Sequence, residues 1–325
     1  MKVYHGIETL EPPLSQCVLT VGNFDGVHRA HQQLIAQAGL FAANTGGPVV
    51  VLTFEPHPLS VVRAAQAPPR LSLPEQKLGY LADAGADITV VARSEPALLG
   101  MEPEDFVETV LVRRLHPTHM VEGPSFGFGR GRRGNAELLQ RLGQRHGFQV
   151  HVVEPVTVQV DQGETVMVSS SLIRRLLEQG KVHRAALCLG RPYTLMGTVS
   201  SGARRGRKLG FPTANVDVTE QLLPGDGVYA GRVVVGDRPY RAAVSIGTRV
   251  TFGPGQRQLE AYLLDFQGDL YGQVLGVELH RWLREQRRFE SPPELVEQLQ
   301  RDAAEVRAEP DWSASAGRLH HPEGT

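Results

Sequence analysis

Two histidines spaced three residues apart are the first side chains in the sequence that could do chemistry together. His28 and His31 stand in the stretch VLTVGNFDGVHRAH, where Gly22 and Gly26 allow a tight turn. Apolar residues before the turn predict a buried strand, and the apolar spacing after it predicts a helix. Unpaired N–H groups and the helix dipole at such a turn favour phosphate, to which two imidazoles can donate hydrogen bonds. The pattern predicts a phosphate site, with ordinary surface histidines at a helix start as the alternative.

A second stretch combines glycines with basic residues and hard oxygen ligands. Glycines stand beside arginine and lysine in GARRGRKLGFPTANVDV, which begins at residue 202. Within it Thr213 offers a hydroxyl and Asn215 an amide oxygen, both suited to Mg²⁺. Farther along, Glu260 lies in a predicted strand and is a carboxylate that could accept the proton of a substrate hydroxyl. The stretch predicts a phosphate-transfer site, with a basic turn and a surface strand carboxylate as the alternative interpretations.

The elements of the first half must position the histidine turn. Apolar runs alternate with helix-like spacing, with predicted strands at 17–21, 49–54, 88–91, 119–121 and 148–153. Helices are predicted between them, at 31–43, 74–84, 104–115 and 135–146. Strands that alternate with helices are typical of a parallel sheet covered by helices. We therefore expect an α/β, Rossmann-like parallel-sheet domain over residues 1–185.

The second half has a different residue pattern, in which short runs of strand-forming residues are separated by Gly, Pro and Asp. Such runs without intervening helices predict a small antiparallel β-barrel, placed at residues 186–308. One helix closes it, for which Ser291 is the expected N-cap, Pro292 the first helical residue and Glu294 the partner in a capping box. The polar tail, residues 309–325, is expected to be disordered.

Composition excludes several classes of protein. The 325 residues carry 34 Lys and Arg against 35 Asp and Glu, so no global charge favours nucleic acid or an acidic membrane surface. The first residues lack the apolar core of a signal peptide. The sequence has no run of ~18 apolar residues, the length needed to span a membrane. The two cysteines, Cys17 and Cys188, are expected to be buried. These features predict a cytoplasmic protein and leave the oligomeric state open.

The motifs of the first half resemble those of a known superfamily. GNFDGVHRAH is similar to the G-x-F-D-G-V-H-x-G-H signature of the HxGH nucleotidyltransferases, whose histidines bind the phosphates of a nucleoside triphosphate. VSSSLIRRLLEQG resembles their S-S-T-x-I-R motif, and EGPSFGFGRGRRG resembles a flavin-holding loop. The resemblance implies catalytic roles for His28, His31 and Arg174. It implies ATP-binding residues Gly22, Asn23, Phe24, Asp25, His28, His31, Ser169, Ser170 and Arg174, and flavin-binding residues Ser125, Phe126 and Phe128. The basic cluster Arg130, Arg132 and Arg133 is either a phosphate site or a solvated loop.

The motifs of the second half resemble the flavokinase domain. GFPTAN is that family's most specific signature, the Glu of its E-x-x-L-L-D-F stretch matches Glu260, and LREQRRFES resembles its I-R-x-E-x-x-F segment. The resemblance implies Glu260 as the general base, Mg²⁺ at Thr213 and Asn215, and flavin binding by Glu260, Arg284 and Phe289. It implies ATP-binding residues Gly202, Gly206, Arg207, Lys208, Gly210, Pro212, Thr213 and Asn215.

In this order the two motif sets resemble the bifunctional bacterial riboflavin kinase and FAD synthetase family. The resemblance implies two reactions, phosphorylation of riboflavin by ATP to FMN and adenylylation of FMN by a second ATP to FAD, with riboflavin and FMN as substrates. Ala30 replaces the usual glycine before the second histidine, and Ser125 replaces an acidic or amide residue. These differences keep open a kinase with a weak or inactive adenylyltransferase domain. A non-catalytic flavin or nucleotide sensor is the second alternative.

Overall fold

Two compact units make up the part of the chain that the computed structural model describes, which comprises residues 1–10, 13–14, 16–161, 163–201, 210–248, 257–310 and 312. The first unit contains residues 1–68, 74–157 and 166–168, and the second contains residues 69–73, 158–165 and the chain from Ser169. No helix among the described residues is both long and apolar enough to cross a membrane.

The elements of the N-terminal half alternate between strand and helix, as the apolar pattern predicts. In chain order they are β1 (Lys2–His5), β2 (Cys17–Val21), α1 (Arg29–Thr45), β3 (Val49–Glu55), α2 (Pro58–Val62), α3 (Pro74–Asp83), β4 (Ile88–Arg93), α4 (Pro96–Leu99), α5 (Pro103–Phe106), β5 (Pro117–Glu122), β6 (Gly127–Phe128), β7 (Gly134–Asn135), α6 (Ala136–His146) and β8 (Gln149–Val152). The α5 helix continues directly as a π-helix, Val107–Leu115.

The remaining elements are mostly strands, with two short helices before the barrel strands and one long helix after them. They are β9 (Thr157–Asp161), β10 (Glu164–Met167), α7 (Ser170–Glu178), α8 (Val182–Leu189), β11 (Tyr193–Ser200), β12 (Ala214–Asp217), β13 (Gly227–Val235), β14 (Arg238–Thr248), β15 (Arg257–Leu263), β16 (Val274–Arg284) and α9 (Pro292–Ala308).

Six parallel strands form the sheet of the first unit, in the order β1-β4-β3-β2-β5-β8. All five residues of β2 are buried, because α1 covers one face of the sheet and the π-helix covers the other. The chain leaves β2 toward β3 on one side, while β5 lies on the other side. The carboxyl ends of β2 and β5 therefore border the crevice in which open α/β sheets bind their ligands. The predicted parallel-sheet architecture is confirmed.

Six antiparallel strands close the barrel of the second unit, in the order β11-β12-β15-β14-β13-β16. The α9 helix packs on its outer surface, where Ala303 and Val306 contact Ala230 and Ala243. The predicted barrel with a closing helix is confirmed. Ser291 is the N-cap of α9, as predicted, but its side chain makes no cap hydrogen bond. The carboxylate of Glu294 accepts the backbone N–H of Glu290, the residue before the cap, at 3.4 Å, so the predicted capping box does not form.

A buried ion pair lies on the outer face of this barrel. The guanidinium of Arg232 donates to both carboxylate oxygens of Glu278, from Nε at 2.7 Å and from Nη2 at 2.8 Å. Burial alone would raise the pKa of Glu278, but hydrogen bonds from His280 and Arg232 bring it below its usual value. The ring of Trp312 stacks on His280 at 4.0 Å between centroids, and Glu309 pairs with Arg281. Glu309 and Trp312, which belong to the tail predicted to be disordered, thus contact the barrel. Residues 311 and 313–325 lie outside the described residues.

Breaking the pair by Arg232→Met is expected to destabilise the protein by about 3–5 kcal/mol, because the buried carboxylate of Glu278 would lose its two guanidinium hydrogen bonds and keep only the one from His280. Arg301→Met is the matched control, since Arg301 pairs with Glu297 on the exposed face of α9 and such pairs contribute about 0.3–0.5 kcal/mol. Thermal and denaturant unfolding followed by tryptophan fluorescence measures both. Equal destabilisation by the two substitutions would show that the buried pair contributes no more to the free energy of unfolding than an exposed pair does.

Candidate active sites

The turn after β2 is held in a strained conformation. Its Gly22 N–H donates to Leu52 O at 3.0 Å, and a Cβ at Gly22 would lie 3.2 Å from the Phe24 ring. Phe24 and Val27 both adopt left-handed backbone conformations, with φ of 49° and 36°, which a β-branched residue such as valine rarely does. Their side chains are 1% and 0% exposed, so burial in the core stabilises the strained turn. Such strain is typical of functional sites.

The two histidines lie face to face at the start of α1. His28 is the N-cap, and its Nδ1 accepts the N–H of His31 at 3.4 Å. The rings stack at 3.7 Å between centroids with 14° between planes. Because Nδ1 of His28 accepts a hydrogen bond, the proton of the neutral ring lies on Nε2, which can donate to a ligand. The turn, the helix terminus and the paired imidazoles thus lie together, an arrangement of groups that can bind an anion.

Thr53 of β3 and His57, which follows that strand, both contact this turn. The hydroxyl of Thr53 donates to Asn23 O at 3.1 Å, and the amide nitrogen of Asn23 lies 3.0 Å from His57 Nε2. His57 also caps α2, since its Nδ1 accepts the N–H of Leu59 at 3.1 Å. His57 is not among the predicted site residues, although its FEPHP stretch follows an apolar run that predicts a strand.

The loop after β5 carries the predicted flavin-binding residues. Ser125 is exposed, and its carbonyl accepts a hydrogen bond from Arg132 at 2.9 Å. The rings of Phe126 and Phe128 stack at 5.5 Å between centroids. Phe128 is buried in the core against Phe106, whereas Phe126 is half-buried. Of the predicted flavin-binding residues in this loop, Ser125 and Phe126 are therefore the accessible ones.

The arginines of the same loop are engaged with protein groups. Arg130 and Arg133 both form ion pairs with Glu102, at 3.4 and 3.3 Å, and all three side chains are solvent-exposed. These contacts fit the interpretation of the cluster as a solvated loop.

A buried carboxyl group that was not predicted lies at the carboxyl end of β5. Glu122 is 1% exposed, and its Oε1 accepts the N–H of Val21, the last residue of β2, at 2.8 Å. Burial raises the pKa of Glu122 well above its usual range, and the hydrogen bond from Val21 only partly opposes this. A perturbed acid at the crevice of an α/β sheet is a functional-site candidate. The only sequence signal is an acidic residue that ends the otherwise apolar run MVE.

Replacing Glu122 by glutamine is expected to stabilise the protein at neutral and alkaline pH. The folded-state pKa is raised, so the parent loses stability as the pH rises above the unfolded value of 4.5, where the unfolded chain has already ionised. Glutamine keeps the acceptor for Val21 and carries no charge. The gain in melting temperature of Glu122→Gln over the parent should therefore be near zero at pH 4 and grow towards pH 8. A gain that does not change with pH would contradict the assigned direction.

The serines and arginine of the third predicted motif belong to the second unit, although they were predicted within residues 1–185. Ser169 is the N-cap of α7, and its Oγ accepts the N–H of Leu172 at 3.2 Å. Ser170 is the first residue of that helix. The Nε of Arg174 donates to Pro69 O at 2.8 Å, which orients the guanidinium.

The predicted ATP site of the barrel is described only in part. Gly202, Gly206, Arg207 and Lys208 lie outside the described residues. Gly210 has a φ of 84° and is exposed, as are Pro212 and Thr213. Asn215 lies in β12 and is half-buried.

Glu260 lies in a row of polar residues across three barrel strands. It is the register partner of Asn215 in β12 and of Ser245 in β14. Its neighbours Leu259 and Ala261 are buried in the barrel, so Glu260 is on the outer face with both partners. The amide nitrogen of Gln286 donates to the Ser245 hydroxyl at 2.8 Å. The structure thus brings Asn215 and Glu260 together, and adds Ser245, which was not predicted.

The other two predicted flavin-binding residues, Arg284 and Phe289, lie next to each other, and Arg284 contacts the closing helix. Arg284 forms a two-bond ion pair with the buried carboxylate of Asp302, at 2.9 and 2.7 Å. Its guanidinium lies 6.0 Å from the centre of the Phe289 ring, and that of Arg287 lies 4.8 Å from it. Asp302 therefore fixes Arg284 beside Phe289.

Comparison with known proteins matches both halves of the chain. A family model described as FAD synthetase matches residues 10–171, and one described as riboflavin kinase matches residues 189–309. A crystal structure described as a macrolide-efflux protein from Streptococcus pneumoniae has a similar fold, at a TM-score of 0.84 and 27% identity over 95% of this chain and 100% of that one.

Curated relatives carry both activities in their names. The bifunctional riboflavin kinase/FMN adenylyltransferase of Escherichia coli K12 is 37% identical over 94% of this chain and 97% of its own length. The proteins of the same name from Pseudomonas fluorescens and Listeria monocytogenes are 36% and 35% identical, over 95% and 94% of this chain and 97% and 96% of their own lengths. With both family models matched in order and the relatives covered almost end to end, this chain belongs to the bifunctional riboflavin kinase/FMN adenylyltransferase family.

Proposed function

We propose that this chain converts riboflavin to FMN on its barrel and FMN to FAD on its N-terminal sheet, with one ATP consumed in each step. The observation that carries the proposal is the match of both family models in one chain, each over a fold that bears the corresponding predicted residues. We assign the adenylyl-transfer domain to residues 1–185 and the kinase domain to residues 186–308.

In the kinase step, the 5′-hydroxyl oxygen of riboflavin attacks the γ-phosphorus of ATP. The new O–P bond forms as the bond to ADP breaks, and the hydroxyl proton passes to the carboxylate of Glu260. The position of Glu260 between Asn215 and Ser245 supports this role, since both neighbours can hydrogen-bond to the carboxylate or to the substrate. Arg284 and Phe289 bind the flavin next to α9.

In the adenylylation step, a phosphate oxygen of FMN attacks the α-phosphorus of the second ATP, and pyrophosphate leaves. No covalent intermediate with the protein is required, so the protein acts by positioning and by stabilising negative charge. The Nε2–H of His28 and the ring of His31 bind the phosphates together with Gly22–Asp25. Ser169, Ser170 and Arg174 bind the triphosphate. Ser125 and Phe126 hold the flavin, and the buried Phe128 supports the Phe126 ring from behind.

Magnesium fits the polar end of the barrel site. The Thr213 hydroxyl is exposed and the Asn215 amide lies on the same face as Glu260, and such hard oxygen donors are the ligands that Mg²⁺ prefers. The ion supplies charge neutralisation to the ATP phosphates when it is bound. We expect the enzyme to act in the cytoplasm on small molecules alone.

A time course with purified protein, riboflavin, ATP and Mg²⁺ tests the proposal. We expect FMN to appear first and FAD to follow, with ADP and pyrophosphate as co-products, when the flavins are separated by chromatography. FMN that accumulates without FAD would favour the alternative of a kinase with an inactive adenylyltransferase domain, for which Ala30 and Ser125 provide the reason. Flavin binding without either product would favour the sensor.

A further inference from the structure

Glu122 takes over a hydrogen bond that the sheet itself does not make. The parallel ladder between β2 and β5 ends at the pair Leu19 and Met120. Beyond that pair the N–H of Val21 is bound by the carboxyl of Glu122, at 2.8 Å. A side chain therefore replaces the backbone rung at the point where the strands stop pairing and the crevice opens.

This bond links the origins of two loops. Val21 immediately precedes Gly22, where the turn to His28 begins, and Glu122 immediately precedes Gly123, where the loop to Phe128 begins. Since both residues are almost fully buried, the bond is shielded from water and fixes the two strand ends relative to each other. The strained turn after Val21 depends on such an anchor, because its left-handed Phe24 and Val27 persist only where the surroundings hold them.

The character of the carboxyl suits this position. Burial raises its pKa, which favours the uncharged acid over the carboxylate. An uncharged acceptor can bind the Val21 N–H without adding negative charge beside a turn built to bind anions. A carboxylate there would repel the phosphates that the histidines attract.

We propose that Glu122 is a positioning residue of the adenylyl-transfer site, which through its hydrogen bond from Val21 holds the turn Gly22–His28 in register with the loop Gly123–Phe128. This inference deepens the proposed function and rests on it. It predicts that what matters at position 122 is a hydrogen-bond acceptor of the right length, rather than a charge or a proton donor.

Three full-length proteins test the proposal: the parent, Glu122→Gln and Glu122→Val. We expect Glu122→Gln to adenylylate FMN within about threefold of the parent, and Glu122→Val to lose about tenfold to a hundredfold, mainly in kcat, as misplacement of reacting groups does. Riboflavin phosphorylation by the barrel should be equal in all three proteins, and equal far-UV circular dichroism should show that the N-terminal sheet of the valine variant remains folded.

Hydrogen–deuterium exchange of the peptide that covers residues 17–28 provides a readout that does not need activity. We expect faster exchange in this peptide for Glu122→Val and unchanged exchange for Glu122→Gln. The proposal is overturned if exchange in this peptide is the same in all three proteins, or if the glutamine variant loses as much adenylylation as the valine variant. A parent that makes FMN and no FAD would instead refute the proposed function, while the exchange result would still decide whether Glu122 holds the turn.

Discussion

Replacing His28 by alanine is expected to lower FAD formation from FMN and ATP by about a hundredfold or more, while FMN formation from riboflavin stays at the parent rate. His28 is buried at the N-terminus of α1 with its Nδ1 bound to the His31 N–H, so its Nε2–H is oriented as a donor. Loss of one preorganised donor to a developing negative charge typically costs about 10²–10³ in kcat. Chromatography of flavins from the two separate reactions measures both rates.

His28 also caps α1, so the alanine variant loses a structural bond together with the imidazole. Removal of a cap costs about 0.5–2 kcal/mol, whereas serine can cap a helix and has no imidazole. We therefore expect His28→Ser to recover much of the thermal stability and none of the adenylylation. His5→Ala is the matched control, because His5 is exposed on β1 and two strands separate β1 from β2. If His28→Ser adenylylates FMN at a rate within threefold of the parent rate, the imidazole of His28 has no role in the reaction.

The sequence was sufficient to predict those parts of the site that depend on local pattern. Strand 17–21 was predicted at the bounds that the structure has, because a strand buried on both faces must be apolar throughout. The turn and the helix after it follow from Gly22, Gly26 and the apolar spacing, which are also local. The closeness of His28 and His31 follows from their three-residue spacing at the start of a helix.

Other parts of the site depend on contacts between distant segments and could not be read from the sequence. Glu122 and Val21 are 101 residues apart, and only the order of strands in the sheet brings them together. Similarly, Ser245 reaches Glu260 through barrel register, which alternation alone does not define. The left-handed backbone of Val27 has no signal in its residue type, since a β-branched residue favours extended conformations.

Replacing Glu260 by glutamine is expected to lower FMN formation by about 10²–10⁴-fold, the contribution typical of a positioned general base. Glutamine has nearly the same shape and can hydrogen-bond to Asn215 and Ser245, but it cannot accept the proton of the riboflavin hydroxyl. Adenylylation of supplied FMN should continue at the parent rate, because that step takes no proton from its nucleophile. The two rates are measured separately, with riboflavin or FMN as the starting flavin.

Glu297→Gln is the matched control for this substitution, since Glu297 is an exposed carboxylate of α9 whose partner is Arg301. It removes the same charge from the same unit and should leave both rates unchanged. Phosphorylation by Glu260→Gln at more than a third of the parent rate would exclude Glu260 as the base. Equal loss of both reactions would instead indicate a folding defect, which melting temperatures would reveal. A loss confined to FMN formation is what a proton acceptor on the outer face of the barrel requires.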